Sequence, residues 1–392
     1  MTGQPAIDAR GFVADDTARI LDEWAAIARV PAPQGAEADR AVVIARLARA
    51  CGADPVVDAV GNVVVTVDGD GEATMSFIAT MDDLGTVAAH RAASDVLVVD
   101  GDRFVGPATE TTSSDVSALA ILRFLQAQPR PWPWRRVTLA WVLGEETGLS
   151  GMHALVAERG ADLGDVVDLM GGVGTVSWNA IGFAGLMFEF TAQPRHSLQG
   201  GVSEVPDAMA RFITALDDDP LPRHAPPWDA DPLSTRRVNR LHAGDVFNHS
   251  PATGSVGVDI RSTDPAELER LDAATRDAAH SAATAAGVGV TIRDGERQPA
   301  MRLPGGRDHR LVQALVQAVR DVGHEPVLRA WSSSNVNVAY AAGLDGIVHD
   351  GTFRGEGRGT AEEWTHIPGV LAGIAADCRL IQLLTERPAG PA

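Results

Sequence analysis

VTLAWVLGEETGLSG (137–151) is the stretch whose reading decides the fold. Residues 137–143 are an apolar run with two Val and two Leu, of strand length and too short for a helix. The run stops at Gly144, and two adjacent acids, Glu145 and Glu146, follow it. A strand apolar on both faces belongs inside a sheet covered by helices. In an open sheet of that kind, loops at the carboxyl ends of the strands share one crevice, which is where Glu145 and Glu146 are then expected.

The neighbouring segments repeat the arrangement. Strand-like NVVVTV (62–67), SFIAT (76–80) and VLVV (96–99) precede VTLAWVL, and helix-like stretches at 16–29, 36–51 and 115–128 alternate with them. In the first helix Ile20, Leu21, Trp24 and Ile27 form one stripe, with Asp15 or Asp16 as the expected N-cap. Acids recur at the ends of these segments: Asp82 in ATMDDLG (79–85), Asp115 in TSSDVSALA (112–120) and Asp168 in DVVDLMGG (165–172). Taken singly, each acid reads as a solvated loop residue. Together they predict one crevice holding Asp82, Asp115, Glu145, Glu146 and Asp168, which needs cations or protons to be stable.

A change comes near residue 185. LMFEFTAQ (186–193), GSVGVDIRST (254–263) and VGVTIRDG (288–295) alternate as half-exposed strands around helices at 207–218 and 266–287. The Pro-rich stretch 220–232 reads as a surface loop. After about residue 300, HRLVQALVQAVRDVG, the GIVH strand and a final helix from about Ala361 resume the first pattern. The expected fold class is α/β: an α/β/α domain over 1–184 and 299–392, with an α+β domain inserted at 185–298.

Composition narrows the chemistry. The 392 residues carry 33 Lys+Arg against 52 Asp+Glu, a formal charge of −19, and every one of those 33 is arginine. A lysine Schiff base and a P-loop lysine are therefore excluded, and the acidic balance argues against nucleic-acid partners. Cys51 and Cys378 are too few for a disulfide framework and lack zinc-site spacing. MTGQPAIDARGF (1–12) has no apolar signal region, and no run reads as the ~18 apolar residues of a spanning helix. The expectation is a cytoplasmic protein with no membrane partner.

The order and spacing of the acidic segments resemble the dizinc amidohydrolases and peptidases, a family that includes acetylornithine deacetylase, succinyl-diaminopimelate desuccinylase, aminoacylase and carboxypeptidase G. The resemblance runs from IARVPAP (27–33) and GNVVV (61–65) to the last helix. It implies a zinc-peptidase-like catalytic domain with an inserted lid that dimerises. It implies Asp82 as the Asp of a His-x-Asp motif, Asp115 as the metal-bridging carboxylate, Glu145 as general base, and Glu146 and Asp168 as metal ligands. PRHSLQGG (194–201) resembles the segment carrying the lid histidine, so His196 is assigned to the oxyanion. FNHSP (247–251) and VDIR (258–261) likewise assign Asn248 and Arg261 to the substrate, Arg261 gripping its carboxylate. SSN (333–335) adds Ser334 and Asn335.

Two departures stand out. Where the family has its zinc-binding histidines, this chain has Thr80, in Thr80-Met81-Asp82, and Gly359, in Gly359-Thr360-Ala361-Glu362-Glu363. Thr80 and Gly359 thereby become candidate substrate contacts. Each metal would keep only Asp115 and one further acid, whereas catalytic zinc usually has three protein ligands and favours nitrogen and sulfur. All-carboxylate sites suit Mg²⁺, Ca²⁺ or Mn²⁺. The expected cofactor is accordingly none, or a weakly bound divalent cation, and not a tight zinc pair. Without metal, crowded carboxylates raise one another's pKa, and a raised carboxyl serves acid–base catalysis. The expected function is that of a divergent enzyme acting on a small carboxylate-bearing amide or amino-acid derivative, with Glu145, His196 and Asp82 as catalytic candidates. Two alternatives stay open: a non-catalytic protein that keeps the ligand pocket, and an ordinary metal-dependent deacylase with His349 or His366 as substitute ligand. A homodimer through the inserted domain is implied by the resemblance.

Overall fold

Strand Trp134–Val142, the first half of the deciding stretch, lies third in an eight-stranded sheet. The spatial order is Val56–Val57, Val63–Asp68, Trp134–Val142, Ala73–Thr80, Asp165–Leu169, Gly346–Gly351, Gly174–Ser177 and Val327–Arg329. The structure, a computed structural model, describes residues 6–84, 97–218, 233–351, 355–360 and 362–386. The chain divides into two units, 1–179 with 303–392, and 180–302. The second unit extends a few residues beyond the 185–298 read from the sequence, because strand Gly182–Thr191 begins before the visible alternation.

In the first unit, Ala73–Thr80 pairs in parallel with both Trp134–Val142 and Asp165–Leu169, and the latter pairs in parallel with Gly346–Gly351. Parallel pairing sends their carboxyl ends to one edge. The register sets Thr80 beside Val142, and Ile78 beside Asp168. On one face Ile78, Ala140 and Val142 pack with Met152, Leu155, Val338 and Ala339. On the other, the indole of buried Trp141 donates to the Asp115 carbonyl at 3.0 Å, seating helix Thr112–Ala127 against the sheet. Burial of each large aliphatic or aromatic side chain here contributes roughly 1.5–3 kcal/mol.

Two helix boundaries differ from the sequence reading. The first helix is Ala9–Ala28, capped by Asp8, whose carboxylate accepts the Gly11 N–H at 2.7 Å. Asp15 and Asp16 are therefore not caps, and Asp16 instead pairs with Arg123 at 2.6 Å. The last helix is Ile367–Thr385 rather than one from Ala361, a residue that lies outside the described residues. Strand Trp364–His366 pairs with Arg103–Val105, and the His366 imidazole then caps the helix by accepting the Gly369 N–H at 3.2 Å. Pro368 sits in its first turn, where its missing N–H costs nothing. This helix is long and apolar enough to cross a membrane by length and composition, against the sequence reading, but 61% of its most apolar window is buried inside the protein.

The second unit is a four-stranded antiparallel sheet in the order Ser234–Ala243, Thr253–Ser262, Gly182–Thr191, Gly289–Gln298. Helices Glu204–Ala215 and Pro265–Ala286 cover one face through Phe188, Phe190, Phe212, Val256, Val258, Leu268 and Leu271. Strand Gly182–Thr191 alternates buried and half-buried residues, the period-two signal its sequence carries. The edge strand STRRVNRLHA (234–243) has no buried residue and no apolar alternation, so the sequence reading missed it. The expected 220–232 loop lies outside the described residues.

Candidate active site

The site begins where strand Trp134–Val142 ends. Gly144 takes φ 65°, a left-handed conformation that glycine adopts without steric cost, and the chain turns directly into Glu145 and Glu146. The fully buried Asp82, from the end of the adjacent strand, secures that turn. Its Oδ1 accepts the Glu145 N–H at 2.9 Å, and its Oδ2 accepts the Glu146 N–H at 3.0 Å. The Asp that the sequence offered as a catalytic group thus holds the two glutamates in place. Burial raises its pKa, against these backbone hydrogen bonds, which favour the charged form.

Asp82 is fixed in turn by Arg40, which is 0% exposed. Arg40 donates to the Met81 carbonyl at 2.7 Å and to the Val30 carbonyl at 2.6 Å, and it pairs with Asp83 at 2.7 Å. Asp83 also accepts the Ala32 N–H at 2.9 Å. A residue from the second helix therefore locks the strand end that locks the Glu-Glu turn.

The two glutamates differ in their partners. Glu146 Oε1 lies 3.3 Å from Arg358, whose Nε is 2.7 Å from Glu110 Oε2. Among the described residues the Glu145 carboxylate has neither a hydrogen bond nor an ion pair. Burial pushes Glu145 well above the ordinary glutamate range, the Glu146, Asp168 and Asp82 carboxylates add to the rise, and Arg358 opposes it. Burial also raises Glu146, though Arg358 restrains the shift.

Asp168 lies within its strand rather than after it, and is fully buried. Asn335 Nδ2 donates to Asp168 Oδ1 at 3.3 Å and to Thr80 Oγ1 at 3.1 Å, bridging two residues from separate strands. Burial lifts Asp168 to about 6, against hydrogen bonds from Ser334, Asn335 and the backbone of Asn335 and Val336. Asp115, in the first turn of helix Thr112–Ala127, is fully buried, and neither of its carboxylate oxygens has a hydrogen-bond partner among the described residues. Burial holds it well above the aspartate range, although Arg40 pulls it down.

Gly359 is held by a clamp that sequence reasoning passed over. Buried Glu363 accepts the Gly359 N–H at 3.0 Å through one oxygen and the Glu110 N–H at 2.9 Å through the other. It thereby fastens the segment carrying Arg358 to the segment carrying Glu110. Arg40, Glu110, Arg358 and Glu363 are the residues the sequence left unread. The one signal was that Glu363 closes the same frame in which Gly359 replaces a histidine.

The candidates on the second unit form a local set there. His196 caps the 197–199 turn by accepting the Leu198 N–H at 3.1 Å, and its ring meets His249 edge-on at 4.8 Å. Asn248 Oδ1 lies 3.3 Å from His249 Nδ1. Arg261 pairs with Asp259 at 3.1 Å, and its guanidinium lies 4.8 Å from the Phe183 ring centroid. The histidines offered as substitute ligands have other attachments: buried His349 pairs with Asp377 at 2.7 Å, and His366 caps the last helix.

The fold can now be compared with solved structures. Aminopeptidase PepT from Bacillus cereus is similar at TM-score 0.79 and 18% identity, with 94% of this chain and 99% of that chain covered. A tripeptidase from Staphylococcus aureus gives TM-score 0.77 at 15% identity, covering 94% and 98%. The YxeP protein of Bacillus subtilis, a dinuclear metal-binding peptidase of the M20 family, gives 0.68 at 14%, covering 95% and 98%. No protein-family model and no curated protein matches the sequence. The chain has the fold of these peptidases.

A dinuclear metal centre of the kind found on this fold needs donors, and the residues here do not fit one. Among the described residues no three His, Cys, Asp or Glu side chains gather in a group able to hold a metal ion. Glu146 Oε1 and Asp168 Oδ1 already accept N–H donors, whereas Asp168 Oδ2 and both Asp115 oxygens have no hydrogen-bond partner among the described residues, and the positions that the sequence resemblance aligns with imidazoles hold Thr80 and Gly359. A donor set of carboxylates without imidazole or thiolate is a poor start for zinc, which favours nitrogen and sulfur.

Proposed function

We propose that this chain is a divergent enzyme of the amidohydrolase and peptidase type, acting on a small carboxylate-bearing amide or amino-acid derivative by metal-independent acid–base chemistry. The observation that carries the reading is the inequality within the Glu-Glu pair. Asp82 fixes both backbone N–H groups, Arg358 engages Glu146, and the Glu145 carboxylate has no hydrogen bond or ion pair among the described residues. An uncommitted carboxylate on a rigid turn is what a proton-transferring group requires. In this reading Glu145 takes a proton from the attacking nucleophile and returns it to the leaving group. Thr80, Ser334, Asn335 and Gly359 contact the substrate.

Likeness of fold to peptidases supports the substrate class, and the donor set supports the absence of a zinc pair. The decisive experiment screens N-acyl amino acids and short peptides with protein treated with EDTA. Turnover is expected to persist in EDTA and to fall by about 10²–10⁴-fold in Glu145→Gln, the usual contribution of general acid–base catalysis. Ligand binding without turnover, unchanged in Glu145→Gln, would establish the non-catalytic reading instead. The proposal includes a homodimer through the second unit, supported by its edge strand Ser234–Ala243 and by exposed Leu241, Val246 and Phe247 beside it. Sedimentation at micromolar concentration tests it, and a monomer would remove that part of the reading.

A further inference from the structure

We infer that this chain carries built-in replacements for a metal pair: the Arg358 guanidinium between Glu110 and Glu146, and the Asn335 amide between Thr80 and Asp168. The inference rests on the active-site reading above and names what holds two carboxylates of that site in place of metal ions. The geometry is specific. Arg358 lies one residue before Gly359, which the resemblance aligns with one absent imidazole, and it reaches Glu146, one of the two acids the resemblance assigns as metal ligands. Asn335 joins Thr80, aligned with the other absent imidazole, to Asp168, the other acid so assigned, at 3.1 and 3.3 Å. On each side, one side chain of the protein links the two residues, or the two segments, that a cation would have linked.

The Arg358 arrangement is constructed rather than incidental. A turn closed by the Thr360 N–H on the Gly357 carbonyl, at 2.8 Å, carries Arg358. The Glu363 carboxylate then holds both this turn and the backbone of Glu110. A guanidinium stays charged at every physiological pH, and its planar fork presents fixed donors to two carboxylates at once. A divalent ion seeking Glu146 must therefore displace a fixed cation and break its bonds to both glutamates. Arg358 is in this sense a positioning residue: it sets the charge and place of Glu146 and leaves Glu145 as the group that moves protons.

The test measures metal binding and melting rather than turnover, so its failure is separable from failure of the Glu145 mechanism. Metal-stripped wild type, Arg358→Ala, Arg358→Gln and Arg358→Lys are titrated with MnCl₂ and ZnCl₂ by calorimetry and melted with and without each ion. The wild type is expected to show no saturable binding below ~1 mM, the weak end of carboxylate sites, and a melting temperature insensitive to EDTA. Arg358→Ala is expected to melt lower, to bind Mn²⁺ saturably and to recover at least half of the loss when Mn²⁺ is added. Arg358→Lys keeps the charge and is expected to exclude the ion. Should the alanine variant fail to fold, the glutamine variant keeps most of the side-chain volume and serves the same comparison. Micromolar binding of either ion by the wild type overturns the inference. So does a loss of melting temperature in the folded alanine or glutamine variant that no divalent ion restores, since that is the mark of a purely structural arginine.

Discussion

Arg40 illustrates how much of this site depends on a residue with no chemistry of its own. It is completely buried, and its charge is matched by Asp83 at 2.7 Å while its other donors satisfy the Met81 and Val30 carbonyls. Arg40→Met removes the cation and leaves a buried carboxylate behind, which is expected to cost about 3–5 kcal/mol in urea denaturation. Arg40→Met with Asp83→Asn is expected to recover part of that loss, and no recovery would show that Arg40 acts through packing alone. Gly359 teaches a related lesson. Its φ of 74° lies in the left-handed region, so a histidine placed there bears backbone strain in addition to its encounter with the neighbouring arginine. At this scale the acids were legible as residue types within or beside strands and at one helix start. Their partners were not, because Arg40 is about forty positions from Asp83 and Arg358 more than two hundred from Glu146, and nothing local couples such distances.

Among the elements, the turn between strand Trp134–Val142 and helix Ser150–Arg159 decides most. Its sequence announced an apolar strand, a glycine and two acids, and the structure adds that Asp82 supplies the acceptors for the first two N–H groups of the acidic turn. Asp82→Asn keeps one acceptor and turns an amide toward the other N–H, leaving a donor unsatisfied at about 1–3 kcal/mol. The expected outcome is a fall of roughly tenfold to a hundredfold in kcat with melting lowered by a few degrees. A fall in melting with kcat unchanged would show that the clamp does not position Glu145. The helices were legible by their stripes, but their starts were not. Asp8 and His366 act as caps, and Asp15 and Asp16, equally suitable by type, do not. An N-cap is defined by backbone geometry that several nearby polar residues are able to satisfy, and tertiary pairing of Asp16 with Arg123 removed one of them.

For the whole molecule, the buried acids make a statement about pH. A folded-state pKa raised above its unfolded value supports the fold below the unfolded value, and that support is lost as pH rises through the folded one. Asp168, raised from 3.8 to about 6 by burial, withdraws its support over that interval. His349 acts in the same direction at higher pH: burial disfavours its charge, but the Asp377 carboxylate outweighs burial and raises its pKa. Asp272 and Asp321 run the other way. Asp272 is lowered by Arg276 and Arg297 despite burial, and Asp321 is lowered by Arg379, so their support is lost only below the usual aspartate range. The melting temperature is therefore expected to be higher near pH 5 than near pH 8, by several degrees, and to fall again below about pH 4. Monotonic loss of stability from pH 8 to pH 5 in a thermal scan would contradict it, and Asp168→Asn is expected to flatten the acidic half of the rise.

The sequence by itself determined the alternation of strands and helices, the inserted antiparallel sheet with its two helices, and five acids, four in or just after parallel strands and Asp115 in the first turn of a helix. Those features depend on periodicity and on parallel pairing, which are local or nearly so. The tertiary structure alone decided which of these acids have partners among the described residues and which have none. That outcome rests on Arg358 meeting Glu110 and Glu146, on Asn335 meeting Asp168, and on Asp82 accepting two backbone donors. Each of these contacts joins segments far apart in the chain, so their energies exist only once the sheet has brought the segments together. A formal charge of −19 describes the surface well and says nothing of this division. Within the site, the balance is set by two arginines and one asparagine placed at hydrogen-bonding distance from particular carboxylate oxygens.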